Sequence, residues 1–136
     1  MTTINGIDHH GKESPYPFTE DSLQTACATY LRAQYPKALW LHCPNGGSRN
    51  RIEAAKLKGM GVLPGASDLM IFEPRNFKGL RPCGLFIELK TKGGKLQDSQ
   101  ESFIQEVQVR GYMAAVVWSF DGFKALVDEY LNMPCT

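Results

Sequence analysis

A carboxylate and an ammonium stand two positions apart in an otherwise apolar run, Leu85-Phe86-Ile87-Glu88-Leu89-Lys90. In an extended strand alternate side chains share a face. Glu88 and Lys90 therefore point the same way as Phe86, while Leu85, Ile87 and Leu89 fill the other face. A second apolar run, Asp68-Leu69-Met70-Ile71-Phe72, opens on an aspartate. If the two runs pair, Asp68, Glu88 and Lys90 converge. Asp68 and Glu88 would then offer hard anionic oxygens to Mg²⁺ or Mn²⁺, and the Leu89 backbone carbonyl would add another. Lys90 could hold a water or offset the charge that grows on a phosphate under attack. Taken alone, Glu-X-Lys is more often a surface ion pair. Its apolar setting argues otherwise, because charge in a sheet covered on both faces is rarely kept without a task.

Two further polar side chains fall on apolar stripes. Glu20 lies three residues before Leu23 and seven before Cys27, with Gln24 one turn further on. Its plainer reading is a favourable helix-dipole contact, which Asp21 also satisfies. Gln100 lies three, four and seven residues before Phe103, Ile104 and Val107, where an inward amide could orient a water or a phosphate. The stretch Asn45-Gly46-Gly47-Ser48-Arg49-Asn50-Arg51 joins a glycine turn to two arginines at a helix start. Main-chain N–H groups there favour an anion, and a nucleic-acid backbone is the natural partner. Asn45, Gly46, Ser48, Arg49 and Arg51 are assigned to that contact, together with Lys92 in a later glycine-rich turn. Lys56 and Lys58 read as a solvated helix face.

These residues need a scaffold. Thr19 reads as the cap of a helix over 20–34, ended by Pro36. Strands are expected at 37–43, 68–72, 85–90 and 112–118, and further helices at 49–58, 98–110 and 120–131. The order α-β-α-β-β-α-β-α predicts an α/β fold with a mixed sheet of about four strands between helices. Residues 1–16, polar and rich in glycine and proline, are expected as a flexible lead-in to one domain over 17–136. His9-His10 on such a tail carries little weight as a metal site.

Several chemistries are disfavoured. Formal net charge is +1, so any basic footprint must be local. The four cysteines, Cys27, Cys43, Cys83 and Cys135, form no CxxC pair and fit no zinc motif. Neither glycine-rich loop completes a phosphate-binding Gly-Lys-[Ser/Thr] motif, which sets a nucleotide cofactor aside. No Gly-X-Ser-X-Gly is present, and His42 is the one histidine inside the expected fold. No apolar run approaches the ~20 residues of a bilayer span, and the N-terminus carries no secretion pattern, so a cytoplasmic protein with no membrane partner is expected.

Taken together, the ordered pieces resemble one family. They are Glu20 with Gln24, His42-Cys43-Pro44-Asn45-Gly46-Gly47, Lys58-Gly59-Met60-Gly61-Val62-Leu63-Pro64-Gly65-Ala66-Ser67-Asp68, Phe86-Ile87-Glu88-Leu89-Lys90, Gln100 and Gly111-Tyr112. This set is similar to the VRR-NUC (virus-type replication–repair nuclease) branch of the PD-(D/E)XK nucleases, over about residues 19–131. The chain departs from the pattern at Ser67, in place of the proline before Asp68, and at Gln97-Asp98, in place of a Ser-Pro pair before Gln100.

The resemblance implies a restriction-endonuclease-like core and a Mg²⁺- or Mn²⁺-dependent DNA endonuclease. Asp68 and Glu88 would bind metal and Lys90 would be the catalytic lysine, with Glu20 and Gln100 completing the site and Glu20 able to add a metal ligand. The short length resembles stand-alone, often phage-encoded members, which would act in the host cytoplasm. Such members resemble junction-resolving enzymes and tend to homodimerise, so branched DNA such as a four-way junction is the expected substrate. An RNA-directed or general nuclease with the same site, or an idle nucleic-acid-binding accessory protein, are the alternatives.

Overall fold

A computed structural model describes residues 2–12, 18–44 and 51–135. Among these residues six strands form one mixed sheet in the order β1-β2-β6-β5-β4-β3. They are β1 (Thr2–Ile4), β2 (Ile7–His10), β3 (Trp40–His42), β4 (Leu69–Ile71), β5 (Leu85–Leu89) and β6 (Met113–Val117). Among the described residues four helices connect them: α1 (Glu20–Gln34), α2 (Arg51–Gly59), α3 (Asp98–Val109) and α4 (Phe120–Leu131), of which α1, α3 and α4 cover the sheet. β5 and β6 run parallel around α3, and β3, β4 and β5 form an antiparallel meander.

The alternation read in 85–89 sorts the core into two layers. Leu85, Ile87 and Leu89 join Leu69, Ile71, Ala115 and Val117 beneath α1 and α4, against Leu23, Cys27, Leu31, Phe123 and Val127. Phe86, Ala114 and Val116 face the opposite way, against Ile104 and Val107 of α3. α1 begins where Thr19 caps it: Thr19 Oγ1 accepts from the Ser22 N–H and Ser22 Oγ accepts from the Thr19 N–H, both at 3.0 Å. Tyr30 and Tyr35 both donate to Asp128 Oδ1 at 2.6 Å and tie α1 to α4.

The sheet corrects one expectation. Six strands replace the expected four because residues 2–10, expected as a mobile lead-in, form a hairpin added to β6. Asn5 (φ 52°) and Gly6 (φ 76°) make a two-residue turn with both residues left-handed, the geometry that matches strand twist. Ile7 then sinks to 1% exposure against α3's layer. His9 is not on a tail: its Nδ1 accepts from the Trp118 indole N–H at 2.9 Å and its ring stacks on Trp118. After β2, Gly11 (φ 85°) lies so close to α4 that a Cβ there would sit 2.5 Å from Ser119 Oγ. We expect Ile7→Ala to cost about 2–5 kcal/mol in chemical denaturation, the penalty of an emptied core position. An unanchored N-terminus would give no change.

Expected strands at 37–43, 68–72, 85–90 and 112–118 are shorter at their ends, and α1 and α4 keep the expected bounds. The expected helix start at Ser48 and Arg49 lies outside the described residues; from Arg51 to Gly59 the helix is present.

Candidate active site

Antiparallel pairing sets Leu69 against Ile87, so one step along the ladder Asp68 stands opposite Glu88. The aspartate is fixed from three sides. Its Oδ2 accepts the Leu89 N–H at 2.7 Å. Its carbonyl accepts the Cys43 N–H at 3.0 Å and meets His42 Nδ1 at 2.7 Å. A carbonyl can only accept, so His42 Nδ1 carries the proton and Nε2 is the ring's acceptor.

Glu88 is 3% exposed and Lys90 5%. The Lys90 N–H bonds the Val117 carbonyl at 2.9 Å, continuing the β5–β6 ladder, so Lys90 stays on the face of Phe86 and Glu88. Gln100, in the first turn of α3, reaches this face. Its Oε1 accepts the Gln97 N–H at 2.8 Å, which turns Nε2 toward Glu88 Oε1, also at 2.8 Å. That bond explains why a polar residue sits on the inward stripe. Glu88 Oε2 is buried with no hydrogen-bond partner among the described residues. Burial first, and then the facing Asp68 carboxylate, push Glu88 well above the usual carboxylate range, while Lys90 pulls the other way.

A cavity of about 570 Å³ opens onto these groups, with Glu20, Lys58, Asp68, Glu88 and Gln100 among its lining residues. Glu20 and Asp68 also line a smaller neighbour of about 190 Å³ with Gln24, His42 and Leu89. Glu20 thus faces the acidic pair from the first turn of α1. Lys90 is not among the lining residues of either cavity and is buried, its charge acting on Glu88. Lys92 is exposed in the turn after β5, and Arg51 is exposed on α2. Asn45, Gly46, Ser48 and Arg49 lie outside the described residues. Lys58, read from sequence as a solvated cation, lines the larger cavity. Helical spacing could not reveal this, since it depends on where the loop after α2 returns.

Among the described residues, no group of three or more His, Cys, Asp or Glu side chains is set as a ready-made metal cage. The donors are nonetheless of the right kind for Mg²⁺ or Mn²⁺. Asp68 and Glu88 are hard oxygen donors set side by side, where two ionised carboxylates would repel each other, and among the described residues Glu88 Oε2 has no hydrogen-bond partner. Gln100 then acts by orienting Glu88. If Asp68 and Glu88 hold Mn²⁺, Gln100→Leu should weaken its binding about 10–100-fold, the usual cost of losing such a supporting bond, as measured by calorimetric titration. An unchanged affinity would remove Gln100 from the site.

A mixed sheet between helices, with acid, acid and lysine at the ends of paired strands, defines the class of restriction-endonuclease-like folds. The chain matches the VRR-NUC domain over residues 18–121 and belongs to that family. It is similar to a solved structure described as a VRR_NUC domain protein, with a TM-score of 0.69 and 27% sequence identity, over 88% of this chain and 93% of that one. No curated protein matches the chain. Family membership implies a nuclease-type function, with DNA as substrate. No helix among the described residues is long and apolar enough to cross a membrane.

Proposed function

We propose that this chain is a Mg²⁺- or Mn²⁺-dependent endonuclease that hydrolyses phosphodiester bonds in branched DNA, four-way junctions included. One observation carries the reading: Asp68 and Glu88 face each other across β4 and β5 in an open cavity, with Lys90 on the same strand face as Glu88. A bound divalent ion would neutralise charge on the phosphate and favour formation of a hydroxide nucleophile. Asp68 and Glu88 would hold it, with the Leu89 carbonyl and Glu20 as further oxygens. Gln100 keeps Glu88 Oε1 engaged and leaves Oε2 as the free donor atom. Lys90 places an ammonium beside Glu88, where it can donate to the attacking water or to a phosphate oxygen. Arg51 and Lys92 would contact flanking phosphates.

Substrate shape is tested with a panel of junction, flap, duplex and single-stranded DNA, plus RNA, in Mg²⁺, Mn²⁺ and EDTA. The expected result is metal-dependent cutting with preference for the junction. Cutting in EDTA would remove the metal, and equal rates across the panel would remove the branch selectivity. Paired cuts in a symmetric junction call for two sites related by a two-fold axis, so a homodimer belongs to the same proposal. Sedimentation showing a monomer at working concentration would count against that part.

A further inference from the structure

α2 is an unusual helix for a folded domain. None of its nine residues is buried, and it has no extended packing with any other helix or strand among the described residues. Isolated helices of this length are marginal in water. Yet its position is fixed from its C-terminal side. The Gly61 N–H bonds the Lys58 carbonyl and the Val62 N–H the Leu57 carbonyl, both at 3.0 Å. The loop that follows is pinned at Gly65 (φ 84°), where a Cβ would lie 2.2 Å from the Ser99 carbonyl oxygen at the start of α3. The helix is thereby held along one wall of the larger cavity.

The residues it presents there are specific. Ala54, Ala55 and Lys58 line the cavity with Asp68 and Glu88. Arg51 precedes them at positions i, i+3, i+4 and i+7, one helical face. The face has a cation at each end, about 10 Å apart along the axis, with the methyl groups of Ala54 and Ala55 between them and Leu57 alongside at the cavity. α2 carries Arg51, Lys56 and Lys58 against the single acid Glu53. Among the described residues neither Arg51 nor Lys58 forms an ion pair. Glu20, Asp68 and Glu88 line the same cavity, so the Lys58 cation and these carboxylates share one open groove, with Arg51 two turns before Lys58 on the same helix face.

We infer that α2 is the wall along which the nucleic-acid backbone runs: Arg51 and Lys58 grip successive phosphates, the alanines let the strand approach the helix closely, and DNA is the partner that covers α2. Lys58 is then a positioning residue that steers the strand toward Asp68 and Glu88. The inference rests on the nuclease reading for its partner, but not on cleavage. Charge complementarity and continuity with the acidic pair argue for DNA rather than a protein as the occupant.

The test reads binding without cutting, on a labelled DNA duplex in EDTA across a salt series. The Arg51→Gln/Lys58→Gln double variant should lower the slope of log Kd against log salt by about two, since each phosphate contact contributes about 0.9. Between 50 and 200 mM salt its affinity would then fall about tenfold less than that of the wild type. Arg51→Gln/Lys58→Arg, which keeps a cation at 58, should restore about half of the lost slope. Lys124→Gln, on α4, serves as the charge control and should leave the slope unchanged. Hydrogen exchange over 51–59 should slow when DNA is added. In cleavage assays the double variant should raise KM and keep kcat.

An unchanged slope, equal effects from Lys124→Gln, no added protection in α2, or a wild type that binds no DNA would each overturn the inference. A protein that binds DNA through α2 but cuts nothing in Mg²⁺ or Mn²⁺ would instead sink the nuclease reading and leave α2's role standing.

Discussion

Lys90→Met should cut DNA about 10²–10⁴-fold more slowly than the wild type while binding it equally well in EDTA, the loss typical of a missing proton-handling group. The fold should survive. Lys90 is nearly fully buried, and burying an ammonium is costly, so an isosteric apolar chain removes that cost. The usual objection is that deleting one partner strands the other charge. Here Glu88 is already pushed toward its protonated form by burial and by Asp68, so the metal-free variant leaves no bare carboxylate behind. Lys90→Arg should not rescue cutting, because a guanidinium is larger, planar and holds its proton. Single-turnover rates with thermal melts on the same samples make the measurement. Full-rate cutting by Lys90→Met would end the catalytic assignment.

The second large effect couples metal, proton and stability at Glu88. A carboxyl whose folded pKa lies above its unfolded value holds more protons when folded. Its stabilising contribution is present at acidic pH, below the ordinary carboxylate range, and is lost as pH climbs through the raised folded value. The metal-free protein should therefore weaken from acidic toward alkaline pH. Glu88→Gln should flatten that decline, since the amide has no proton to lose. On the proposed reading Mn²⁺ would compete for the same oxygens, so its protection should grow with pH and release protons.

At a hundred times its Kd a bound ion stabilises by about 2.7 kcal/mol, which corresponds to roughly 10 °C in a domain of this size. Glu88→Gln should lose most of that gain and all measurable cleavage. Melting curves across pH, with and without Mn²⁺, check both signs together. A metal-free stability that rises with pH because of Glu88, or an undiminished Mn²⁺ effect in Glu88→Gln, would contradict the account.

Much of this geometry was legible in the chain because it depends on local periodicity. Thr19 with the stripe Leu23, Cys27 and Leu31 fixes both the start and the inward face of α1. Alternation over 85–89 puts Glu88 and Lys90 on one face with no knowledge of the partner strand. Gln100 was readable from its stripe, although its contact with Glu88 was not, since that depends on how α3 crosses the sheet. Two features needed tertiary information. The strands of residues 2–10 are too short, at three and four residues, to show alternation, and a single inward Ile7 carries their burial. Asn5-Gly6 is the readable signal there, a dipeptide favoured in two-residue hairpin turns. Lys58 was passed over because an exposed lysine on a short helix looks the same whether water or an acidic groove lies beyond it.

The pairing of β2 with β6 has a practical outcome for anyone producing this protein. The family match begins at residue 18 and stops at 121, yet β6 is covered by residues 8–10 and α4 continues to Leu131. Trimming to the matched span would bare the main-chain groups of Ala115 to Val117 on that side and strip most of the helix above them. Copies so trimmed would zip together through the naked strand and precipitate.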